Sequence, residues 1–280
     1  MKQITADKSL LNQILGLSCL ENYLLYIMKE CGYHYQALYA ESFVSFSDIA
    51  TTLFDEAVPY AYFHKIPRLQ DTARKKNLLS MAITKNIEEG VSQYDYCCIK
   101  VHPDFVIERY GRKPWRDDHY ILLCEQRDHK WICLNDNPRD IIELNSDILS
   151  HAYAGKTICF HRLTEIHSSL EKRFLKAFQN NVAQPQKIYV PHINNLGIAR
   201  DIIGILKTTR KRIQEYSSQY MDTAFMTDYL LQLDKTYAIF EYMRVRQKVD
   251  FEKVEQMLTR VQTYDLLIIK QLNEKIQKIG

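Results

Sequence analysis

Four residues of this sequence have the types and order needed for nucleophilic catalysis by a thiol: Gln13, Cys19, His119 and Asp136. Cys19 opens an amphipathic run and is expected at a helix start, where first-turn N–H groups stabilise a thiolate. His119, at the head of an apolar stretch, would act as its base. Asp136, at the end of the next apolar stretch, would bind the far ring nitrogen of His119 and fix its tautomer. Gln13, six residues before Cys19, would donate its amide to an oxyanion together with the Cys19 N–H.

Each of these residues alone also has an ordinary structural explanation. A histidine at a strand edge is usually a surface residue, and an aspartate before Asn-Pro commonly forms a turn. A cysteine in an apolar run is most often an inert core residue. That explanation is preferred for the six other cysteines: Cys31, Cys97, Cys98, Cys124, Cys133 and Cys159. The catalytic hypothesis therefore depends on the ordered combination rather than on any single residue.

The elements that must position these residues form an α+β domain over about residues 1–165. Residues 19–31 have the apolar spacing of a helix, with Ser18 and Glu21 as a capping box and Gly32 at the exit. Residues 71–90 also have a helical pattern. Strand signals dominate afterwards, over residues 96–101, 105–108, 120–124, 131–134 and 157–160, with a hairpin turn at 127–130. One helix followed by several antiparallel strands is typical of the α+β class.

The second half of the chain, residues 166–280, is predicted to be an all-helical domain. Helical periodicity begins near Glu171, and a loop containing Pro185, Pro191 and Gly197 interrupts it. Three long helices are then expected over residues 198–217, 222–247 and 251–279, the last of them capped by Asp250.

Composition limits the class of protein. The chain has 280 residues, 46% hydrophobic and 25% charged, which is typical of a globular protein of about two domains. A net charge of +3 does not favour nucleic acid as a partner. Seven cysteines without zinc-type pairs predict reduced thiols, no metal and a cytoplasmic location. Neither a signal peptide nor a membrane span is expected. The oligomeric state is left open.

The order Gln-x5-Cys, then histidine heading a strand, then Asp-x-Pro, resembles the papain-like cysteine fold, in its C39-peptidase-like branch. Within that branch the chain is similar to the butirosin biosynthesis protein H family, in pattern over about residues 10–165 and only in helical type beyond. The resemblance implies a papain-like N-terminal domain followed by a helical C-terminal domain. Because papain-like enzymes also use an amide as the third residue, Asn135 is the alternative to Asp136.

The family resemblance also implies a function, a cysteine-dependent acyltransferase of natural-product or antibiotic biosynthesis. An acyl group would pass from an acyl or peptidyl carrier protein thioester to Cys19 and then to a small amine. No cofactor is expected, and 4′-phosphopantetheine would enter only as part of the carrier-bound substrate. The sequence around Cys19 lacks the Trp or Gly neighbours common in peptidases. Two alternatives remain: a peptidase or thioesterase that hydrolyses the acyl-enzyme, and a catalytically silent papain-like binding module.

Two further groups of residues are candidates for substrate or partner binding. Trp115 and Arg116 lie just before His119, and Arg116 would bind a carboxylate or phosphate. The densest basic cluster would dock an acidic carrier protein by charge steering, and it consists of Lys207, Arg210, Lys211 and Arg212. The alternative for this cluster is an ordinary solvated helix face.

Overall fold

The computed structural model describes residues 1–11, 18–54, 68–112, 118–189 and 192–279. The chain divides into two compact units, Met1–Tyr35 with Arg68–Ile166, and Gln36–Pro67 with His167–Gly280. The expected boundary near residue 165 coincides with the end of the first unit. The sequence-based division instead places residues 36–67 in the first domain.

Short 3₁₀ helices cover Lys8–Leu10 and Gln36–Glu41. In the described residues the α-helices are α1 (Cys19–Glu30), α2 (Phe46–Phe54), α3 (Leu69–Lys75), α4 (Ile87–Gln93), α5 (Pro103–Tyr110), α6 (Ser146–Ala152), α7 (Ser168–Ala183), α8 (Leu196–Ser217), α9 (Ala224–Val245) and α10 (Phe251–Ile276). None of these helices is both long and apolar enough to cross a membrane.

One antiparallel sheet of six strands forms the centre of the first unit. Its strands are β1 (Ser80–Thr84), β2 (Tyr96–Val101), β3 (Tyr120–Arg127), β4 (Lys130–Asp136), β5 (Arg139–Leu144) and β6 (Tyr153–His161). Their order across the sheet is β1-β6-β2-β3-β4-β5. The mixed α and β content is as predicted, and so are α1 and strands β2, β3, β4 and β6. The hairpin turn between β3 and β4 is also confirmed, with Asp128 and His129 at φ values of 48° and 61°.

Residues 105–108 were predicted as a strand and lie instead in helix α5. Pro103 begins this helix, and Gly111, at a φ of 67°, ends it. Proline at the first helical position and glycine just beyond the last are the common terminal residues of a short helix. The apolar run at residues 105–108 was too short for its periodicity to distinguish a helix from a strand.

Residues 71–90 were predicted as one helix and contain the end of α3, all of β1 and the start of α4. Asn77 leaves the helical region at a φ of 57°. Asn86 then caps α4 by accepting the N–H groups of Glu88 and Glu89. Strand β1 pairs with β6, and β5 pairs with β4, and the sequence predicted neither β1 nor β5.

Different helices pack against the two faces of the sheet. One face packs against α5 and the end of α6 through a buried apolar cluster that includes Ile99, Ile121, Cys133, Ile142 and Phe105. Helix α1 packs against β3 and β4, and its residues from Glu21 to Met28 are all buried. The helix that carries Cys19 is therefore central to the first unit, as the sequence predicted.

The second unit is helical in the residues that the structure describes, as expected for residues 166–280. Helices α7, α8, α9 and α10 match the predicted helices closely, and Asp250 caps α10 by accepting the N–H of Lys253. The segment 36–54 joins this unit because side chains of α8 bind it: Arg210 donates to the Val44 carbonyl over 3.0 Å. Contacts of this kind, more than 160 residues apart in sequence, are not visible in local patterns.

Candidate active site

Helix α1 presents Cys19 as its first residue. Ser18 caps the helix: its Oγ accepts the N–H of Glu21 and donates to Glu21 Oε2, both over 3.3 Å. The other Glu21 oxygen accepts the backbone N–H of Leu69 over 3.1 Å and so binds the start of α3. The Ser18 half of the predicted capping box is therefore present, and it fixes the helix end that carries the thiol.

The surroundings of Cys19 oppose formation of the expected thiolate. Burial of the thiol and the nearby Asp136 carboxylate both raise the pKa of Cys19 well above its ordinary value. Backbone N–H groups of Tyr120, Leu20 and Cys19 itself lower this pKa but do not offset the rise. The helix N-terminus does stabilise the thiolate, but desolvation is the larger effect.

The imidazole of His119 binds Asn135. His119 Nε2 lies 2.6 Å from Asn135 Oδ1, and Asn135 Nδ2 donates to the Pro138 carbonyl over 2.8 Å. The bond to Pro138 fixes the amide orientation, so Oδ1 accepts and Nε2 of His119 is the protonated nitrogen. In neutral His119 the other nitrogen, Nδ1, is then free to accept a proton. The register pairs Leu122 with Leu134, which places the start of β3 beside the end of β4.

Asp136 does not bind His119, and the predicted His119–Asp136 hydrogen bond is wrong. Asp136 Oδ2 accepts the side-chain amide of Asn22 over 2.8 Å. Consecutive side chains of a strand point to opposite faces. Asn135 is therefore directed toward His119 and Asp136 toward α1, which makes Asn135, the alternative third residue, the partner of the imidazole.

The Asp136 carboxylate is a buried charge with incomplete hydrogen bonding. Its residue is only 5% exposed, and burial raises its pKa, although the Asn22 amide and the His119 ring oppose the rise. Among the described residues, neither Asp136 Oδ1 nor Asn22 Oδ1 has a hydrogen-bond partner. Unpaired buried oxygens of this kind are costly and are more frequent at functional sites than in ordinary cores.

Tyr23 links β3, which begins just after His119, to β4, which carries Asn135. Its hydroxyl donates to the Tyr120 carbonyl over 2.8 Å and accepts the Asp136 N–H over 3.2 Å. One buried phenol therefore joins the residue after His119 to the residue after Asn135. The sequence analysis assigned Tyr23 to the apolar stripe of the helix and did not single out Asn22. The available signal was their spacing, because Asn22 and Tyr23 lie three and four residues after Cys19 and so on the same side of the helix.

Cys19 interacts with the backbone of the residue that follows His119. The N–H of Tyr120, the residue after His119, acts on the Cys19 thiol. In the described part of the chain, however, no hydrogen bond joins the Cys19 thiol to the His119 ring. Attack by Cys19 would therefore require the His119 ring or the thiol to shift from its resting position.

Three predicted site residues lie outside the described residues. Gln13 falls within residues 12–17, and Trp115 and Arg116 fall within residues 113–117. The oxyanion role of Gln13 and the substrate-binding roles of Trp115 and Arg116 stay predictions.

The predicted basic docking cluster is not a surface patch. Arg210 and Arg212 are fully buried. The Arg210 guanidinium binds both Asp265 oxygens over 2.7 Å, and Arg212 donates to Ser42 Oγ over 3.3 Å. Lys207 pairs with Asp234, and Lys211 is partly exposed. Two of the four residues therefore stabilise the second unit, and docking through them is wrong.

Within the described ranges, no group of three or more histidine, cysteine, aspartate or glutamate side chains is placed to hold a metal ion. The chain matches no protein-family model and no curated protein. The chemistry of the site is therefore inferred from its residues and their geometry.

Proposed function

We propose that the first unit is a papain-like cysteine acyltransferase domain. Cys19 would be the nucleophile, His119 the base and Asn135 the residue that orients it. The observation that carries the proposal is the 2.6 Å contact between His119 Nε2 and Asn135 Oδ1. This contact holds the ring in the tautomer that a base requires. Tyr120, the residue after His119, directs its backbone N–H to Cys19 at the capped start of α1.

The proposed reaction moves an acyl group from the thioester of an acyl or peptidyl carrier protein to a small amine. His119 Nδ1 takes the Cys19 proton while Sγ attacks the thioester carbonyl. The pantetheine sulfur leaves with that proton and gives the acyl-Cys19 intermediate. The amine then attacks this intermediate, loses a proton to His119 and releases the amide, while Cys19 recovers the proton.

The raised pKa of Cys19 fits attack on a thioester better than attack on a peptide. Because His119 must remove the proton during attack, the nucleophile is weaker than a preformed thiolate. A thioester carbonyl is already activated and tolerates this. The N–H of Cys19, with the predicted contribution of Gln13, would stabilise the oxyanion. We place this activity in the cytoplasm and in natural-product biosynthesis.

A second candidate, a catalytically silent papain-like module, is favoured by the raised pKa of Cys19. An inert thiol beside a buried carboxylate is what a binding domain derived from an enzyme would retain. The two candidates make different predictions for a reactive acyl donor.

The test uses the full chain with a butyryl thioester of pantetheine, with and without a primary amine such as a diaminoalkane. The proposal predicts free pantetheine and a butyryl amide that both require Cys19, with Cys31→Ala, the other partly exposed cysteine, as the matched control. Butyrate alone, with the amine present, would indicate a hydrolase. No thiol release above that of Cys19→Ala would indicate the silent module.

A further inference from the structure

Helix α9 is apolar on two opposite faces. One face packs into the second unit through residues that include Tyr229, Leu233 and Phe240, all fully buried. The other face leaves large apolar side chains in solvent: Leu231 is 52% exposed, Tyr242 62% and Val245 70%. A surface helix normally has one apolar face and one polar face, so the second apolar face is typical of a helix that has a partner.

The exposed residues on this side of the helix, all apolar except Lys235, form one continuous stripe, which we name the outer stripe. It consists of Leu231, Lys235, Ala238, Ile239, Tyr242 and Val245. Their spacings of three and four residues place them along one side of the helix. Ala238, the smallest, lies at the centre of the stripe and permits close approach of a second helix backbone.

The outer stripe has an acidic residue near one end and a basic residue at the other. Asp228 lies on it near the N-terminal end of α9 and Arg246 at the C-terminal end, about 27 Å apart at the helical rise. Both are exposed, and neither takes part in an ion pair within the described residues. Arg246 lies over the ring of Tyr242, 5.4 Å from its centroid, which holds the guanidinium against the stripe. An acidic end and a basic end on one surface complement a reversed copy of that surface.

We propose that two copies of this chain pair through the outer stripe of α9, antiparallel and centred on Ala238. At this centre Leu231 lies opposite Val245 of the second copy, and Lys235 lies within one residue of the position opposite Tyr242. Asp228 lies two residues, about 3 Å at the helical rise, from the position opposite Arg246 of the second copy, on the same side of the stripe and within reach of its guanidinium. A twofold axis makes each contact twice, and the antiparallel arrangement opposes the two helix dipoles favourably. The inference is independent of any catalytic activity.

The experiment is sedimentation equilibrium of the full chain over a concentration series, with circular dichroism and melting temperature as folding controls. The wild type should show a reversible monomer–dimer equilibrium. Leu231→Asp should raise the dimer Kd by about a hundredfold or more, since it would bury a carboxylate in the apolar contact. Ile188→Asp, at a residue of the same unit that is 74% exposed, is the matched control and should leave the Kd unchanged.

Charge exchange tests the antiparallel register. Asp228→Arg or Arg246→Asp alone should each raise the Kd by about tenfold, because each creates two like-charge contacts per dimer. The double variant should return the Kd to near the wild-type value. A wild type that stays monomeric throughout the series overturns the proposal. So does a dimer that Leu231→Asp leaves intact, or a double variant weaker than both single ones.

Discussion

Asp136 in the first unit and Asp265 in the second are both buried carboxylates, and they differ in their hydrogen-bond partners. In the second unit, both oxygens of Asp265 bind Arg210, whose third nitrogen donates to the Val44 carbonyl. In the first unit, Asp136 has one partner, Asn22, and its other oxygen has none in the described residues. A buried charge that has all its partners is tolerated by a fold, whereas one that lacks a partner costs stability and is more frequent at functional sites.

The largest expected effect comes from breaking the satisfied pair. Asp265→Ala should lower the free energy of unfolding by about 3–5 kcal/mol, because it leaves the Arg210 guanidinium buried and uncompensated. Urea denaturation measures the change. Lys207→Met, which removes an exposed pair with Asp234, is the control and should cost at most about 1 kcal/mol. A similar loss in both variants would remove the contrast between buried and exposed pairs.

The second-largest expected effect is on the acylation rate, and it distinguishes the role of Asn135 in the proposed reaction from that of Asp136. Asn135→Ala should lower the rate of single-turnover acylation of Cys19 by about a hundredfold or more, because His119 loses the group that fixes its tautomer. Asp136→Asn should stay within about tenfold of the wild-type rate, since His119 keeps its partner. Rapid-quench mass spectrometry with a thioester measures both rates. The opposite order would restore Asp136 as the orienting residue.

The third effect concerns Tyr23, whose hydroxyl joins β3 to β4. Tyr23→Phe leaves the Tyr120 carbonyl and the Asp136 N–H buried without this partner, and should cost about 1–3 kcal/mol of stability. Its acylation rate should also fall, with KM for the thioester unchanged, because the ends of both strands lose their link beside the site. Tyr26→Phe removes a hydroxyl from the same helix that binds Thr5 rather than the sheet, and should leave acylation unaffected. Equal rates in the two variants would make Tyr23 an ordinary core residue.

The smallest effect is a pH shift at the thiol. The Asp136 carboxylate raises the pKa of Cys19 because a nearby negative charge disfavours the thiolate. Asp136→Asn removes that charge, so the pKa of Cys19 should fall and alkylation by iodoacetamide should begin at lower pH. The pH profile of labelling, read at Cys19 by peptide mass spectrometry, measures the shift. A profile that is unchanged or displaced upward would mean that Asp136 does not act on the thiol.

Local patterns in the sequence were sufficient for the helix that presents the nucleophile. Ser18, Glu21 and Gly32 are signals within one segment, and the same holds for the 128–129 turn and for Asp250. Such signals depend on neighbouring residues alone, so the positions of Cys19 and His119 at the ends of their elements could be predicted.

The third residue could not be chosen from the sequence. Asn135 and Asp136 are adjacent, and a shift of one residue exchanges the two faces of a strand. Which of them reaches His119 depends on the pairing of β3 with β4 and on how α1 covers the sheet. Burial of Arg210 depends likewise on Asp265, 55 residues away. These contacts are tertiary, so a basic cluster in the sequence was mistaken for a surface.

The most direct test of the central claim is the location of the acyl group. The full-length protein is mixed with the butyryl thioester of pantetheine, quenched at low pH, digested and mapped by mass spectrometry. The account predicts one butyryl adduct, on Cys19, absent from Cys19→Ala and strongly reduced in Asn135→Ala. A folded wild-type protein that acquires no adduct, or acquires it at Cys31 instead, would contradict the assignment of Cys19, His119 and Asn135 as an acyl-transfer site.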